Sequence, residues 1–234
     1  MTAIEDSVAL VTGGQRGIGK ALVEHLLARG ARKVYATARE PRPSDDPRVE
    51  PVFLDVTHNH SVTDLAEQAP DVDLVINNAG VLHPAPLLTG DLAKVFATFD
   101  TNVYGPLRVA QAFAPVLARN GGGALVNIHS FLSWAAGSGA YGASKAALWS
   151  LTNTLRIELA GQHTQVVGVH LGFADTDMVA AIPTEKIAPA DVARAVLDGV
   201  ANGESEVLVD EVTRMFKAAL AGPVENLTLP SLRR

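Results

Sequence analysis

Short apolar runs alternate with amphipathic stretches along nearly the whole chain, and this alternation constrains the fold more than any single motif. Apolar runs bounded by turn residues predict buried strands over 8–11, 33–38, 51–54, 74–76, 124–128, 166–170 and 206–209. Helical spacing predicts helices over 18–29, after Ser61, over 91–118 as one long or broken region, and over 141–160, 189–202 and 212–220. In the first of these Leu22, Leu26 and Leu27 share one side, and Gly30 stops the run. A buried strand needs cover on both faces, so this alternation predicts a parallel sheet with helices on each side. The fixed hand of strand–helix–strand crossovers makes such a sheet doubly wound. The Pro/Asp-rich stretch 41–47 reads as a loop. The chain shows no internal repeat, low-complexity segment or linker, so 1–234 is expected to be a single α/β domain with about seven strands.

Composition closes off several kinds of function. The net charge of -6 is the opposite of the clustered Lys and Arg that nucleic-acid binding requires. There is no cysteine, which removes disulfides, thiolate nucleophiles and Cys-ligated zinc. His58, His60, His83, His163 and His170 show no metal-ligand spacing with carboxylates, so no metal is predicted. The first residues lack a basic region followed by an apolar stretch. No signal peptide or membrane span is therefore expected, and the location expected is cytoplasmic.

The first strand runs into Thr12-Gly13-Gly14-Gln15-Arg16-Gly17-Ile18-Gly19, which opens a helix. Glycines allow a tight turn and a close approach of backbone to a pyrophosphate. The free N–H groups and positive end of the helix dipole favour the anion. The spacing is Gly13, then three residues, Gly17, one residue, Gly19. This loop resembles the TGxxxGxG loop of the short-chain dehydrogenase/reductase family. Three more motifs follow in that family's order: Asn77-Asn78-Ala79-Gly80, then Asn102, then Tyr141-Gly142-Ala143-Ser144-Lys145. The resemblance runs from about Val8 to about Met178. It implies a Rossmann-like fold, a nicotinamide cofactor and hydride transfer to or from a carbinol carbon. Gly13, Gln15, Arg16, Gly17, Ile18 and Gly19 are then cofactor-binding residues.

An acidic residue at the end of the second strand would bond the adenosine ribose and repel a 2′-phosphate. Here that position is Ala38, followed by Arg39, and Arg16 sits in the glycine loop. Two guanidinium groups converging on one pocket clamp a phosphate well, so NADPH is expected over NADH. Arg42 is a further basic residue nearby. By resemblance, Asp55 and Val56 border the adenine, and Asn78, Ala79 and Gly80 line the ribose. For Asn77 a sheet-stabilising role and a direct contact are equally open.

Tyr141 and Lys145 are four residues apart at the start of a helical stretch, so they lie on one face one turn apart. A phenol near its ordinary pKa of about 10 is a poor base at neutral pH. A nearby ammonium favours the phenolate and lowers that value. Tyr141 would give a proton to a carbonyl oxygen, or take one from an alcohol, with Lys145 also holding the nicotinamide ribose as in the family. Ser130 follows the fifth strand, where the family's catalytic serine sits, to stabilise charge on the substrate oxygen. It precedes Tyr141 by 11 positions, a shorter approach than is common, and Ser133 and Ser138 are alternatives. The resemblance gives Asn102 a water held by its main-chain carbonyl. An α-helical ladder would pair that carbonyl with the N–H of residue 106, and Pro106 has none.

His129 precedes the serine, and its side chain should point away from that of Ser130. Beyond the sixth strand Gly172 and Thr176 match the family, with Thr176 and the Ala174 backbone on the nicotinamide carboxamide. Leu171 replaces the usual Pro, which predicts a less constrained loop. Leu82, His83, Leu132, Trp134, Phe173 and Met178 are the expected pocket walls, suited to an apolar ketone, aldehyde or secondary alcohol. Helices 102–118 and 143–159 resemble the family's dimer surface, although intramolecular packing accounts for their small residues almost as well. A homodimer or homotetramer is expected. An acyl-thioester reductase of the same family and a non-catalytic NADP-binding sensor are the rival readings.

Overall fold

The computed structural model describes residues 2–83 and 85–229. Its first half runs β1 (Val8–Val11), α1 (Gly17–Ala28), β2 (Lys33–Ala38), β3 (Val49–Phe53), α2 (Asn59–Gln68), β4 (Leu74–Asn77) and α3 (Leu92–Phe99). A π-helical turn (Asp100–Tyr104) leads into α4 (Gly105–Arg119), β5 (Ala124–Ile128) and a 3₁₀ turn (Phe131–Ser133). The chain continues through α5 (Gly139–Glu158), β6 (Gln165–His170), α6 (Pro189–Ala201), β7 (Glu206–Leu208) and α7 (Glu211–Ala219). The seven strands form one sheet in the order β3-β2-β1-β4-β5-β6-β7, and every pairing is parallel. This is the doubly wound, single-domain Rossmann-like architecture that the alternation predicts.

Period-two alternation sends successive strand residues to opposite layers. Ala9 and Val11 join Leu22 and Leu26 of α1 and Val192, Val196 and Leu197 of α6 in one core layer. Val8 and Leu10 join Leu65 of α2 and Val109, Phe113 and Leu117 of α4 in the other. Each of these Val, Leu and Phe side chains contributes roughly 1.5–3 kcal/mol by leaving water, which is what holds the helices to the sheet. A third, smaller cluster gathers Phe131, Leu132 and Trp134 with Phe216 of α7 beyond the end of β5.

Strand order reverses between β1 and β4. Chain leaving β1 heads towards β2, and chain leaving β4 heads towards β5, so their C-terminal ends part and leave a crevice. The clearest difference from the sequence reading is at a strand edge, while the break in 91–118 is the broken form that the sequence left open. β3 begins at Val49, because pairing with β2, not hydrophobicity, defines this edge strand; Pro51 is tolerated there. Region 91–118 is broken by the π turn, in which the Gly105 N–H reaches back five residues to the Asp100 carbonyl.

The loop after β6 is more constrained than the loss of a proline suggests. Gly172 N–H donates to Asp210 Oδ2 at 2.6 Å. Asp210 caps α7 through its other oxygen, which accepts from Thr213 N at 2.8 Å and Thr213 Oγ1 at 2.6 Å. One carboxylate thus ties the site loop to a helix start. Asp210→Ala is expected to cost about 2 kcal/mol, the sum of a lost cap and a charge-assisted bond, read as a fall in urea midpoint. An unchanged midpoint would show that this carboxylate does not hold the loop.

Candidate active site

The crevice is a cleft of about 860 Å³ over the C-terminal ends of the central strands. Gly13, Gln15, Arg16, Gly17 and Ile18 line its phosphate end. Gly17 has φ +52, and a Cβ there would meet Thr176 Cγ2 at 3.0 Å. Gly19 is a correction: it does not line the cleft but permits close packing, since a Cβ would fall 2.1 Å from the Gly13 carbonyl oxygen. Arg16 stands at the N-cap of α1 without a side-chain capping bond, and the first turn holds no acidic residue. The first N–H groups of that helix are therefore not served by its own side chains, as an anion site requires.

Gln15 lines the cleft with its side chain engaged inside the protein. Its Oε1 accepts from Arg42 N–H at 2.8 Å and its Nε2 donates to the Arg42 carbonyl at 2.9 Å. Both ends of the amide are spent on holding the 41–47 loop, which brings Arg42 to the cleft wall beside Arg16 and Arg39. Glu40 lies among these arginines and was not singled out by sequence.

Asp55 and Val56 line the same end. Asp55 Oδ1 accepts from Thr57 N–H at 3.0 Å and Thr57 Oγ1 at 2.7 Å, and Oδ2 lies 3.3 Å from His58 Nδ1. Burial pushes this carboxyl up, but the Thr57 donors and the His58 and Arg39 charges outweigh it and hold it below its ordinary value.

Thr12 joins the two sides of the crevice. Its hydroxyl accepts from the N–H groups of Asn78 and Ala79, each at 2.9 Å. Asn78 Nδ2 returns to the Thr12 carbonyl at 2.9 Å. Asn78, Ala79 and Gly80 line the cleft, whereas buried Asn77 bonds Asn127 Oδ1 at 2.9 Å inside the sheet. The geometry thus favours the sheet-stabilising role for Asn77.

Ser130, Tyr141 and Lys145 come together on one wall. Ser133 is buried away from the cleft and Ser138 stands at the N-cap position of α5, so neither alternative faces it. The 3₁₀ turn and a bond from Ala140 N–H to the Ala85 carbonyl (3.1 Å) fold the short connection back on itself. The Ser130 hydroxyl stands near enough to the Tyr141 phenol to favour its phenolate. Lys145 Nζ donates to the Ile128 carbonyl at 2.7 Å and lies 5.8 Å from the Tyr141 ring centroid.

The expected effect of Lys145 on Tyr141 is not the dominant one. Burial pushes the phenol up to about 12, with the Ser130 hydroxyl opposing it, and burial brings Lys145 down to about 8. Desolvation penalises the charged form of each group, and the ammonium is directed at a carbonyl.

Asn102 is fully buried, and its side chain is fully used. Oδ1 accepts from Val81 N–H at 2.9 Å, and Nδ2 donates to the Val81 carbonyl at 2.9 Å and to Ser144 Oγ at 3.1 Å. The ladder here is π-helical, not α-helical as the sequence reading assumed. Pro106 therefore withholds an N–H from Thr101 in the π register and from Asn102 in the α register. Arg108, unflagged by sequence, ties this turn to the adenine side through Asp100 at 2.8 Å and the Val56 carbonyl at 3.2 Å.

On the substrate side Leu82, Leu132, Phe173 and Met178 line the cleft, as do Ala174 and Thr176. Trp134 and His83 do not. The 3₁₀ turn rolls Trp134 beneath α7, where it stacks on His170 at 4.0 Å. His129 is buried, with Nε2 3.1 Å from Thr152 Oγ1. Among the described residues no group of three or more His, Asp or Glu is arranged to hold a metal, and no helix is long and apolar enough to cross a membrane.

Comparison with known proteins agrees with this geometry. The short chain dehydrogenase family model matches residues 7–187. An uncharacterised oxidoreductase of Staphylococcus saprophyticus is 31% identical over 231 residues, covering 91% of this chain and 98% of its own. The crystal structure of a short chain dehydrogenase from Burkholderia cenocepacia J2315 in complex with NADP superposes with a TM-score of 0.92. That protein is 38% identical, with 97% of each chain covered. A short chain dehydrogenase/reductase from Burkholderia phymatum in complex with NAD shares the fold at 22% identity and a TM-score of 0.83, covering 94% of this chain and 96% of its own.

The buried histidines make stability sensitive to acid. Burial pulls His170 down to about 4 against the opposing pull of the Ser130 carbonyl and Glu206, and burial with the nearby positive charges holds His129 well below its ordinary value. The unfolded chain then binds more protons than the folded one from about pH 6.5 down to about pH 4, so stability falls as pH drops through that window. His170 alone is expected to cost about 2 kcal/mol between pH 7 and pH 5, measured by urea unfolding at the two values. An equal loss in His170→Phe would assign the effect elsewhere.

Proposed function

Because this chain belongs to the short-chain dehydrogenase family of oxidoreductases, we propose that it is a cytoplasmic, NADPH-dependent carbonyl reductase or alcohol dehydrogenase. Its substrate is an apolar ketone or aldehyde, or the corresponding secondary alcohol. The observation that carries this reading is the convergence of Ser130, Tyr141 and Lys145 on one wall of a cleft whose far end is a glycine loop flanked by arginines.

The residues present fit a nicotinamide dinucleotide. Gly13 at φ +66 and Gly17 at φ +52 bring bare backbone to the cleft at the start of α1. Arg16, Arg39 and Arg42 offer guanidinium groups for a 2′-phosphate, the feature that favours NADPH. The NADP complex of the Burkholderia cenocepacia relative supports the same choice. When bound, the cofactor gives or takes the hydride.

The protein supplies the proton and its surroundings. Tyr141, its phenol pushed up to about 12, is protonated throughout the neutral range and donates to the developing alkoxide during reduction. The Ser130 hydroxyl bonds the same oxygen, an interaction of the kind worth about 3 kcal/mol. Lys145 keeps a positive charge below about pH 8 and stands 5.8 Å from the Tyr141 ring centroid. We read the Asn102 main-chain carbonyl, which Pro106 leaves without an α-register N–H, as the acceptor for a water that would return the proton to Tyr141 through Lys145. Leu82, Leu132, Phe173 and Met178 make the substrate end apolar, which favours a hydrocarbon-flanked carbonyl over a sugar or an acid. Exposed Phe96, Tyr104 and Ile157 on the α3–α5 side support assembly as a homodimer or homotetramer.

NADPH oxidation against a panel of ketones and aldehydes tests the reading. Turnover is expected for apolar members, with Tyr141→Phe losing at least about a thousandfold. Absence of turnover across the panel would favour a cofactor-binding sensor instead. Arg39→Ala is expected to raise KM for NADPH about tenfold or more while leaving KM for NADH nearly unchanged. Equal kcat/KM with the two cofactors in the unmodified protein would refute the NADPH preference.

A further inference from the structure

Ser130 follows β5, and its two neighbours are still tied to the β6 side: His129 N–H donates to the Val169 carbonyl at 2.7 Å and Phe131 N–H to the Leu171 carbonyl at 3.0 Å. Its main-chain carbonyl has two lone pairs, and both are used. Ser133 N–H donates at 3.0 Å to close the 3₁₀ turn, and the ring Nδ1 of His170 lies at 3.2 Å. A carbonyl only accepts, so Nδ1 carries the hydrogen. The peptide plane that holds this carbonyl carries the Phe131 N–H, and the next N–H, of Leu132, donates to Ser130 Oγ at 3.2 Å. Carbonyl and hydroxyl of Ser130 are thus held in the same tight turn.

His170 ends β6 and is itself tightly gripped. Its ring is fully buried and stacked between His129 (4.7 Å, 13°) and Trp134 (4.0 Å, 18°). Trp134 belongs to the short connection between Ser130 and Tyr141. Lys217 of α7 lies 5.1 Å from the Trp134 ring and 5.3 Å from the Trp149 ring. The same ammonium pairs with Glu206 of β7 at 2.7 Å. His170, Trp134 and Lys217 do not line the cleft whereas His129 does, so the column runs from the wall at His129 back into the interior. The neutral state of His170, pulled down to about 4 by burial, leaves Nε2 bare beside Glu206 Oε1 at 3.7 Å. Lys217 on that carboxylate offsets the repulsion.

We infer that His170 is a positioning residue for Ser130: its Nδ1–H fixes the Ser130 carbonyl, and the His129–His170–Trp134 stack fixes the ring that carries that hydrogen. This rests on the reading of Ser130 as the hydroxyl that meets the substrate oxygen. The column replaces a longer connection as the means of holding serine and tyrosine in register. A small displacement of a group that must meet a reacting atom is costly even when the fold is intact.

A double-mutant cycle tests it, with kcat, NADPH affinity and melting temperature measured for Ser130→Ala, His170→Phe, His170→Asn and Ser130→Ala/His170→Phe. His170→Phe keeps a flat ring but no donor. It is expected to lower kcat about tenfold, with NADPH affinity changed less than about twofold. His170→Asn, whose amide nitrogen replaces Nδ1, is expected to recover most of that loss. With Ser130→Ala already present, His170→Phe is expected to cost nothing more, because coupled groups are not additive. The same loss in both backgrounds, or a wild-type kcat in His170→Phe, would overturn the inference. Full activity in Ser130→Ala would overturn the reading of Ser130 and this inference with it. Nitrogen-15 NMR of the unmodified protein needs no variant to fold: an Nε2–H tautomer at His170 would also overturn it.

Discussion

The hydroxyl of Thr12, accepting from two successive N–H groups after β4, closes the point at which the sheet reverses direction. A parallel sheet wound both ways must part its connections there, and the parted ends would drift without a cross-tie. Asn78 completes the tie by returning to the Thr12 carbonyl and to the Gly13 carbonyl at 3.3 Å. The glycine loop and the loop after β4 are thereby one rigid unit, and the cleft has a fixed floor. Gly19 serves the same end, because nothing larger fits against Gly13.

The site divides into two ends built on different physical principles. The phosphate end is made of backbone and charge: positive-φ glycines, the uncapped start of α1 and three arginines. At the chemical end burial dominates titration, raising Tyr141 and lowering Lys145. Such groups are poised by desolvation before any ligand adds its own charge. Acid sensitivity has the same origin, since His129 and His170 are kept neutral by the interior that holds them.

Much of the site was legible because its spacings are local. Tyr141 and Lys145 sit one helical turn apart whatever surrounds them, and Gly13, Gly17 and Gly19 shape a turn from neighbouring residues. Ser130 could be preferred over Ser133 and Ser138 because strand ends point into a parallel-sheet crevice. The misreadings have a common physical cause. Trp134 flanks the motifs in sequence, yet a single 3₁₀ turn carries it to the opposite side. Leu171 suggested a slack loop, because the carboxylate that tightens it, Asp210, lies 38 positions further on.

By itself the sequence determined the α/β alternation, the phosphate loop and the Tyr141–Lys145 pair, since strand period, helix period and glycine conformation depend on near neighbours. Tertiary structure alone decided which side chains face the cleft and what holds them there. The π turn at Asn102, the Asp210 clamp and the stack of His170 between His129 and Trp134 join residues from separate elements. Contacts of that kind follow from how layers pack, and no local pattern in the chain encodes them.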